Sequence, residues 1–367
     1  MKKLGIYVHI PFCRQKCLYC GFYSKAGSTD EEQKDYIEEL LEDICAYGQR
    51  YGRSYEVDTV FIGGGTPSLP DPDLIGRVCR SLSENFSIDA DAEITLETNP
   101  GTLTAGRLRD YRNFGINRLS MGVQSLDNRI LKTLGRIHTA EEFLENFNLA
   151  REAGFDNINL DLMFAVPGHT MEIWENTLER VLELSPEHIS FYSLQIEEGT
   201  PFYQLFRDGD IEQIPDETDR LMYHRAIARL KEAGYVHYEI SNAAKPGYQC
   251  RHNLKYWSMD EYLGIGSSAS SYIDGVRFTE PPDPEFHINT REDDMSEFVF
   301  TGLRKTCGID LKQFEKRFSQ NFWQVYGDRK EELAEFFREG KLIEEAGRLR
   351  LSEEGIDISN AVMAVFV

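Results

Sequence analysis

The sequence predicts an α/β fold in which a partly closed parallel barrel of six strand-helix units precedes a small helical domain of winged-helix type. Six short runs of β-branched and aromatic residues have the composition of buried strands. Segments with helical periodicity separate these runs, and several of the segments end at a glycine. This alternation is typical of a parallel sheet, because parallel strands need long crossover connections that are usually helices.

The predicted barrel occupies residues 1–235. Its strands are Gly5–Ile10, Val57–Ile62, Glu93–Glu97, Asn117–Val123, Asn157–Met163 and His188–Gln195. Its helices are Asp30–Arg50, Pro72–Phe86, Leu103–Phe114, Ala140–Ala153, Met171–Leu184 and Glu217–Ala233. One helix after each strand makes this region a partial (β/α)6 barrel.

Residues 236–290 have a different composition and are interpreted as an extension followed by a linker. Tyr235–Ser271 is rich in tyrosine, glycine and serine, and Pro281, Pro282 and Pro284 mark the linker. The second domain is predicted over 291–367.

The second domain combines helices with a hairpin. Its predicted helices are Met295–Arg304, Asp310–Phe318 and Lys330–Arg338. A hairpin over Leu342–Leu351, turning at Ala346 and Gly347, follows them, and this order is typical of a winged helix. Acidic residues outnumber basic ones within 291–367, which disfavours a DNA-reading wing.

Composition restricts the expected partners and compartment. The chain has 367 residues, with 40 Lys and Arg against 62 Asp and Glu and a net charge of -22 at pH 7. This charge repels nucleic acid and anionic lipid. We expect neither a signal peptide nor an integral membrane segment, because no apolar run reaches roughly 18 residues. Seven cysteines, an odd number with three close together, indicate thiolates in a reducing cytoplasm.

Three of the cysteines form a motif directly after the first strand. Cys13, Cys17 and Cys20 are spaced by four and three positions, so one short loop can wrap a small cluster. Three thiolates on a 4Fe-4S cube leave one iron open, which the amino and carboxylate groups of S-adenosylmethionine can chelate. The alternatives are a zinc site completed by His9 and a set of buried thiols.

Other polar residues also follow the ends of predicted strands. The glycine triplet of the segment 61–67 (Phe-Ile-Gly-Gly-Gly-Thr-Pro) allows close approach of a ligand to the backbone, or makes a tight turn before a helix. The remaining strand-end residues are Glu97, Asn99, Gln124, Ser125, Asp161, Gln195 and Glu197. Since the strand ends of such barrels form the active face, we expect one site there. Glu97 and Asp161 suit ribose hydroxyls or an ammonium group, and Arg136 suits a carboxylate.

These residues resemble the radical-SAM proteins grouped with oxygen-independent coproporphyrinogen III dehydrogenase and, within that group, the HemW-type heme chaperones. The matching segments span nearly the whole chain and are Tyr7–Cys13, Cys13–Cys20, Gly63–Pro67, Leu96–Gly101, Gly122–Ser125, Leu134–His138, Asp161–Met163, Ile196–Pro201 and His252–Trp257. The resemblance implies one or two S-adenosylmethionine sites, lined by Tyr7, Gly64, Gly65, Thr66, Glu97, Gln124, Arg136 and Asp161. Tyr19 matches an aromatic position of the cysteine loop.

Two departures separate the chain from the dehydrogenases and favour the chaperone branch. Phe22 stands where the dehydrogenases have a further cysteine, and the first strand comes without their long N-terminal extension. The resemblance also associates the motif His252-Asn-x-x-Tyr-Trp257 with heme.

The chemistry of that motif suits heme but also allows a structural role. His252 can ligate heme iron, with Cys250 as an alternative ligand, and the aromatic residues of the motif offer flat apolar surface. Arg251 and Lys255 can pair with the propionates. The structural alternative is that His252 is a polar residue satisfied by its neighbours.

The resemblance implies a heme chaperone that passes heme to an unidentified acceptor protein and carries the cluster and S-adenosylmethionine. The alternative is an oxygen-independent coproporphyrinogen III dehydrogenase, which makes protoporphyrinogen IX by radical oxidative decarboxylation. A zinc-stabilised interaction module is a third hypothesis. Whether the protein is an enzyme stays open, and so does its oligomeric state, for which a homodimer is one option.

Overall fold

A computed structural model describes the whole chain, residues 1–367. Its strands are β1 (Lys2–Ile10), β2 (Phe12–Cys13), β3 (Lys25–Ala26), β4 (Tyr55–Gly64), β5 (Ser87–Thr98), β6 (Arg118–Gln124), β7 (Ile158–Phe164), β8 (His188–Ser193), β9 (Val236–Glu239), β10 (Asn242–Ala244), β11 (Tyr262–Ile265), β12 (Ser270–Ile273), β13 (Val276–Thr279), β14 (Phe286–Ile288), β15 (Ile309–Asp310), β16 (Leu342–Glu345) and β17 (Arg348–Leu351). Its helices are α1 (Asp30–Tyr51), α2 (Pro72–Asn85), α3 (Ala105–Asn113), α4 (Asn128–Thr133), α5 (Ala140–Glu152), α6 (Met171–Leu184), α7 (Pro201–Asp208), α8 (Asp216–Glu232), α9 (Arg251–Trp257), α10 (Arg291–Gly302), α11 (Leu311–Phe318), α12 (Phe322–Val325), α13 (Lys330–Arg338), α14 (Glu353–Ile356) and α15 (Ser359–Ala364). None of these helices has the length and apolar character needed to cross a bilayer.

Twelve strands form one sheet in the order β14-β13-β12-β11-β1-β4-β5-β6-β7-β8-β10-β9. Its centre consists of β1, β4, β5, β6, β7 and β8, which pair in parallel and in chain order. Helices connect these strands, so the predicted α/β class and the six strand-helix units are confirmed. We call the carboxyl end of these six strands the mouth of the barrel and their amino end its floor.

Side chains alternate between an apolar outer layer and a polar interior. On β1, Leu4, Ile6 and Val8 belong to the main apolar core, together with helix residues such as Ile37 of α1. Alternate positions of β5 and β6 carry polar side chains instead, among them the buried Arg118. Because helices cover the outside of a parallel sheet, the apolar core lies between sheet and helices. The barrel interior is therefore available for polar chemistry.

The segment predicted as an extension and linker, 236–290, completes the sheet at both edges. Strands β10 and β9 follow β8 at one edge, while β11, β12, β13 and β14 follow β1 at the other. Pro281, Pro282 and Pro284 lie between β13 and β14 and not in a connection between two domains. Proline has no N–H group to donate to a strand ladder, so it is better placed in this turn than within a strand.

The C-terminal region is helical and includes a hairpin, as the sequence predicts. A small sheet in the order β15-β17-β16 packs with helices α10 to α15. The hairpin turns at Ala346 and Gly347, which both have positive φ values, 51° and 76°. Two consecutive residues with positive φ match the twist of a tight hairpin.

Candidate functional site

The cysteine loop is held at the mouth of the barrel by the loops that surround it. Cys13 ends β2, which pairs with β3 and thereby closes the loop at its base. Midway along the loop, the Leu18 N–H donates to the Leu134 carbonyl at 3.1 Å, and the Phe202 N–H donates to the Leu18 carbonyl at 2.9 Å. Since Leu134 follows β6 and Phe202 follows β8, three strand ends together position the thiols.

The three thiols are half-buried and lie beside hydrogen-bond donors. Burial raises the pKa of Cys13 and of Cys20. The Thr66 hydroxyl lies 3.7 Å from the Cys13 sulfur, and the Arg136 guanidinium lies 3.6 Å from the Cys17 sulfur. At Cys13 the Thr66 hydroxyl partly opposes the rise in pKa, because a donor to sulfur stabilises the thiolate that iron ligation requires.

His9 is already engaged and does not complete a zinc site with the three cysteines. No three His, Cys, Asp or Glu side chains converge as ligands of a single metal ion. Both ring nitrogens of His9 are also engaged, Nδ1 with the Tyr7 hydroxyl and Nε2 with the Tyr23 carbonyl, each at 3.0 Å. Zinc needs its ligands around one point, whereas a cube binds thiolates at separate corners.

The glycine triplet packs the end of β4 against the start of the cysteine loop. The Gly65 N–H donates to the Ile10 carbonyl at 2.8 Å, and a Cβ at Gly65 would lie 2.7 Å from the Pro11 backbone. Gly64 has a φ of 116°, and a Cβ there would lie 2.6 Å from the His9 ring. Only glycine allows this approach.

Two carboxyl groups lie inside the barrel below the mouth. Burial raises the pKa of Glu97 to about 8, and the carboxylate of Asp161 adds to this shift. Burial also raises the pKa of Asp161, although the Asn159 amide donates to it at 2.7 Å. Two neighbouring buried carboxyls repel each other when both are ionised. A positively charged ligand between them would relieve that cost.

Arg136 joins the cysteine loop to the ends of β5 and β6. Its guanidinium donates to the Asn99 side chain, to the Gly122 carbonyl and to the Cys17 sulfur. Its Nε is buried without a hydrogen-bond partner. The Tyr19 phenol lies beside Arg136, and burial raises its pKa.

Gln124 lies at the end of β6 and is held in an unusual conformation. Its φ is 66°, and its amide oxygen accepts a hydrogen bond from the Tyr192 hydroxyl at 3.1 Å. Positive φ is costly for a residue with a side chain, and such strain is often found at functional sites. The structure thus brings together nine of the sequence-predicted residues: Tyr7, Tyr19, Gly64, Gly65, Thr66, Glu97, Gln124, Arg136 and Asp161.

His252 lies apart from this group, toward the floor of the barrel. It is 1% exposed, and its Nδ1 and Nε2 are hydrogen-bonded to the hydroxyls of Thr59 and Tyr256 at 2.9 and 2.8 Å. Its ring stacks on Phe61 at 5.3 Å. Burial, with the Lys255 ammonium nearby, lowers the pKa of His252 to about 3, so the imidazole is neutral.

Helix α9, which carries His252, is anchored to the barrel by charged groups. The Glu93 carboxylate accepts the N–H groups of Arg251 and His252, both at 3.1 Å. Lys255 forms an ion pair with Asp58 at 2.7 Å, and the Arg251 guanidinium donates to the Asp91 carbonyl at 2.6 Å. The two cations expected to pair with propionates are therefore engaged within the protein.

Sequence reasoning missed the polar interior residues that anchor α9. The sequence places Thr59, Glu93 and Arg118 in strands but assigns none of them a role. The available signal was the two-residue period of polar side chains along β5 and β6, seen at Glu93, Thr95, Glu97, Arg118 and Ser120. A strand that is apolar on one face and polar on the other faces two different environments.

Comparisons with known proteins agree with this architecture. The model of the radical SAM superfamily matches residues 7–181, and that of the HemN C-terminal domain matches residues 289–358. The solved structure of coproporphyrinogen III oxidase (HemN) from Escherichia coli has the same fold, with a TM-score of 0.88 and 24% identity over 100% of this chain and 90% of that chain.

Several relatives are similar over most or all of the chain. Heme chaperone HemW of Lactococcus lactis subsp. lactis is 33% identical, over 100% of this chain and 98% of the relative. Heme chaperone HemW of Bacillus subtilis is 33% identical, over 98% of both chains. The protein of that name from Escherichia coli is 43% identical over 74% of this chain and 70% of its own. The chain belongs to the HemW family of radical SAM proteins.

Proposed function

We propose that this protein is a heme chaperone, which binds heme and passes it to an acceptor protein. The observation that carries the proposal is its similarity to proteins named heme chaperone HemW, which extends over 100% of the chain at 33% identity. Phe22 supports the same choice, because it occupies the position where the related dehydrogenases have a further cysteine. We also propose a cytoplasmic location, in keeping with free thiols.

Membership of the radical SAM superfamily implies a 4Fe-4S cluster and S-adenosylmethionine. We propose Cys13, Cys17 and Cys20 as the cluster ligands. A reduced cluster held by these thiolates would supply the one electron needed for reductive cleavage of a carbon–sulfur bond of S-adenosylmethionine. Glu97 and Asp161 offer negative charge to that cationic ligand, and Arg136 lies where it can orient a carboxylate.

Heme ligation by His252 stays a prediction from the motif, and it has a structural requirement. Both ring nitrogens are occupied, by the hydroxyls of Thr59 and Tyr256. Iron can bind only after one of these hydrogen bonds breaks and α9 moves away from the interior. Heme uptake through His252 therefore requires a conformational change at the floor of the barrel.

The second candidate function is coproporphyrinogen III dehydrogenation. The fold it shares with the Escherichia coli oxidase, at a TM-score of 0.88, favours this alternative. Phe22 stands against it, because this residue replaces the further cysteine of the dehydrogenases. Its side chain is 73% exposed. Both functions require the same cluster, so iron content does not separate them.

The decisive experiment is an anaerobic heme titration of the cluster-reconstituted protein, with coproporphyrinogen III turnover assayed on the same samples. His252→Ala tests the motif. His224→Ala is the matched control, because His224 is partly exposed on α8 and pairs with Asp357 at 2.8 Å, away from the barrel interior.

The chaperone proposal expects tight heme uptake, transfer of that heme to an apoprotein, and no turnover. Loss of heme uptake in His252→Ala but not in His224→Ala would identify His252 as the heme ligand. Equal uptake in both variants would show that heme binds at another site. Turnover without specific heme uptake would replace the proposal with the dehydrogenase.

A further inference from the structure

Helix α9 is held at its two ends by different parts of the chain. At its amino end, the Glu93 carboxylate of β5 accepts the N–H groups of Arg251 and His252. Its carboxyl end, residues 257–259, instead contacts cationic side chains of the C-terminal region. A helix is partly positive at its amino end and partly negative at its carboxyl end, so both sets of contacts have the favourable sign.

Two of these cations follow α10 directly. The Arg304 guanidinium lies over the Trp257 ring, 4.2 Å from its centroid. The neighbouring Lys305 ammonium donates to the Ser258 hydroxyl at 3.1 Å. A cation over an aromatic face is attracted by the ring, and more strongly where water is excluded. The last residue of α9 is therefore held by charge as well as by packing.

The third cation holds a strained residue. Met259, two positions after the end of α9, is 2% exposed and has a φ of 53°. The Arg317 guanidinium of α11 donates to the Met259 carbonyl at 2.9 Å. Positive φ is costly for a residue with a side chain and persists only where its surroundings enforce it. Loss of the Arg317 contact would therefore let the backbone after α9 relax, and the helix would loosen with it.

The C-terminal region is also attached to the barrel at places that do not involve α9. The Thr306 N–H donates to the Tyr238 carbonyl of β9 at 3.1 Å. Arg277 of β13 donates to the Glu297 carboxylate of α10 at 2.7 Å. These contacts keep the region in place when its cations are removed. The contacts to α9 can thus be changed separately from the docking of the region.

We propose that the C-terminal region is a latch, in which three cations hold the carboxyl end of α9 and so keep His252 enclosed at the floor. The latch consists of Arg304, Lys305 and Arg317. While it is closed, both ring nitrogens of His252 stay bonded to hydroxyl groups. Its release lets α9 move away from the interior and frees a nitrogen.

The regulation of heme access by this latch rests on the proposed heme function of His252, whereas the latch itself does not. Heme ligated by His252 would favour the open state, because only that state offers a free ring nitrogen. A ligand that binds one of two states better shifts the population toward that state. The closed latch therefore lowers the apparent affinity for heme, and its release raises it.

The test is modification of histidines by diethyl pyrocarbonate in the cluster-reconstituted chain, followed residue by residue with mass spectrometry. The reagent needs a neutral imidazole with an accessible nitrogen. His252 is neutral near pH 7, because burial lowers its pKa to about 3, so its rate of modification reports the opening of α9. His188 is fully buried on β8 and reports global unfolding. His287, whose side chain is 61% exposed, reports the activity of the reagent.

Two variants open the latch at different points. Arg317→Ala removes the charged donor from the carbonyl after α9. Lys305→Met removes the ammonium group and keeps an apolar chain of similar length. Arg329→Ala is the matched control, because Arg329 lies in the same region but pairs with Glu332 at 3.3 Å rather than with α9.

We expect the rate of modification at His252 to rise at least about tenfold in Arg317→Ala, because a hydrogen bond to a charged group contributes about this factor to a local equilibrium. The rise in Lys305→Met should be smaller. The control should match the wild type, and His188 should stay protected in every variant. Unchanged protection of His252 in both latch variants overturns the proposal. Equal acceleration at His252 and His188 overturns it as well, because the opening is then global.

Heme titration of the same variants separates the latch from the proposed function. Faster heme association in Arg317→Ala, together with faster modification of His252, supports the latch and supports His252 as the heme ligand. Faster modification without faster heme association supports the latch and shows that heme binds at another site. Faster heme association with unchanged modification of His252 overturns the latch, because heme then enters without the opening of α9.

Discussion

Two carboxyl groups on the same face of β5 show how differently the floor and the mouth of the barrel are built. Near the floor, Glu93 accepts the N–H groups of Arg251 and His252 and a contact from the Cys250 thiol at 3.6 Å. Toward the mouth, Glu97 accepts only the Gly64 N–H, at 3.0 Å. Glu93 is thus satisfied by donors of α9, whereas Glu97 keeps acceptor capacity for a ligand. A buried group with few partners is therefore the better indicator of a binding site.

The largest effect is expected at the cysteine loop, which lies at the mouth. Replacing Cys17 by alanine removes a cluster ligand, and we expect loss of the 4Fe-4S cluster and with it of S-adenosylmethionine cleavage. The measurement is iron and sulfide content together with the visible absorbance of the reconstituted protein. Cys45→Ala is the control, because Cys45 is exposed on α1. A cluster retained in Cys17→Ala would contradict the ligand assignment.

Replacing Glu93 tests whether its carboxylate anchors α9 at the floor of the barrel. Glu93→Ala leaves the N–H groups of Arg251 and His252 unpaired beside the buried Arg118, so we expect a loss of about 3–5 kcal/mol in the free energy of unfolding. Urea unfolding measures it. Iron content should stay unchanged, because the floor does not contact the cysteine loop. Equal stability of mutant and wild type would show that α9 is not anchored by this carboxylate.

The raised pKa of Glu97 predicts a pH dependence at the mouth. Its folded value, about 8, lies above the usual 4.5. The stability that Glu97 contributes is thus complete below about pH 4.5 and is lost as the pH rises through 8. We expect the unfolding free energy of the cofactor-free chain to fall by about 2 kcal/mol between roughly pH 6 and 7.5.

Glu97→Gln should flatten this profile, because the amide does not titrate. S-adenosylmethionine binding should show the opposite trend in the wild type and strengthen as Glu97 ionises. Calorimetric titration across the same pH range measures it. A wild-type stability profile that matches that of Glu97→Gln would contradict the raised pKa.

The smallest effect concerns a single hydrogen bond at the floor. Thr59→Val removes the hydroxyl that lies 2.9 Å from Nδ1 of His252. We expect a loss of about 1 kcal/mol in unfolding free energy. Thr59→Ser keeps the hydroxyl and should retain most of the stability. If ligation by His252 requires release of this bond, Thr59→Val should also take up heme more readily than wild type, in the same titration.

Much of the fold and the cluster motif could be predicted from the sequence because their signals are local. The six strands follow from short apolar runs, and Cys13, Cys17 and Cys20 lie within one loop. Glu97, Gln124 and Asp161 can be placed near one another from the sequence because each lies toward the end of a strand, and parallel strands bring their ends to one edge. Tyr7, Tyr19 and Arg136 follow from the family resemblance instead. Pro281, Pro282 and Pro284 indicate a turn, but a proline does not say which elements the turn joins, and in the structure they lie between β13 and β14.

The sequence by itself determined the class of the fold, the number of strand-helix units and the cysteine motif, since each depends on residues close along the chain. Only the tertiary structure decided that His252 is enclosed at the floor, because its partner Thr59 lies 193 positions away. It also decided that Glu93 and Glu97 of β5 differ, since Glu93 meets α9 and Glu97 does not. Whether a side chain is buried and hydrogen-bonded depends mainly on residues that are distant in sequence, and only the fold brings these residues together.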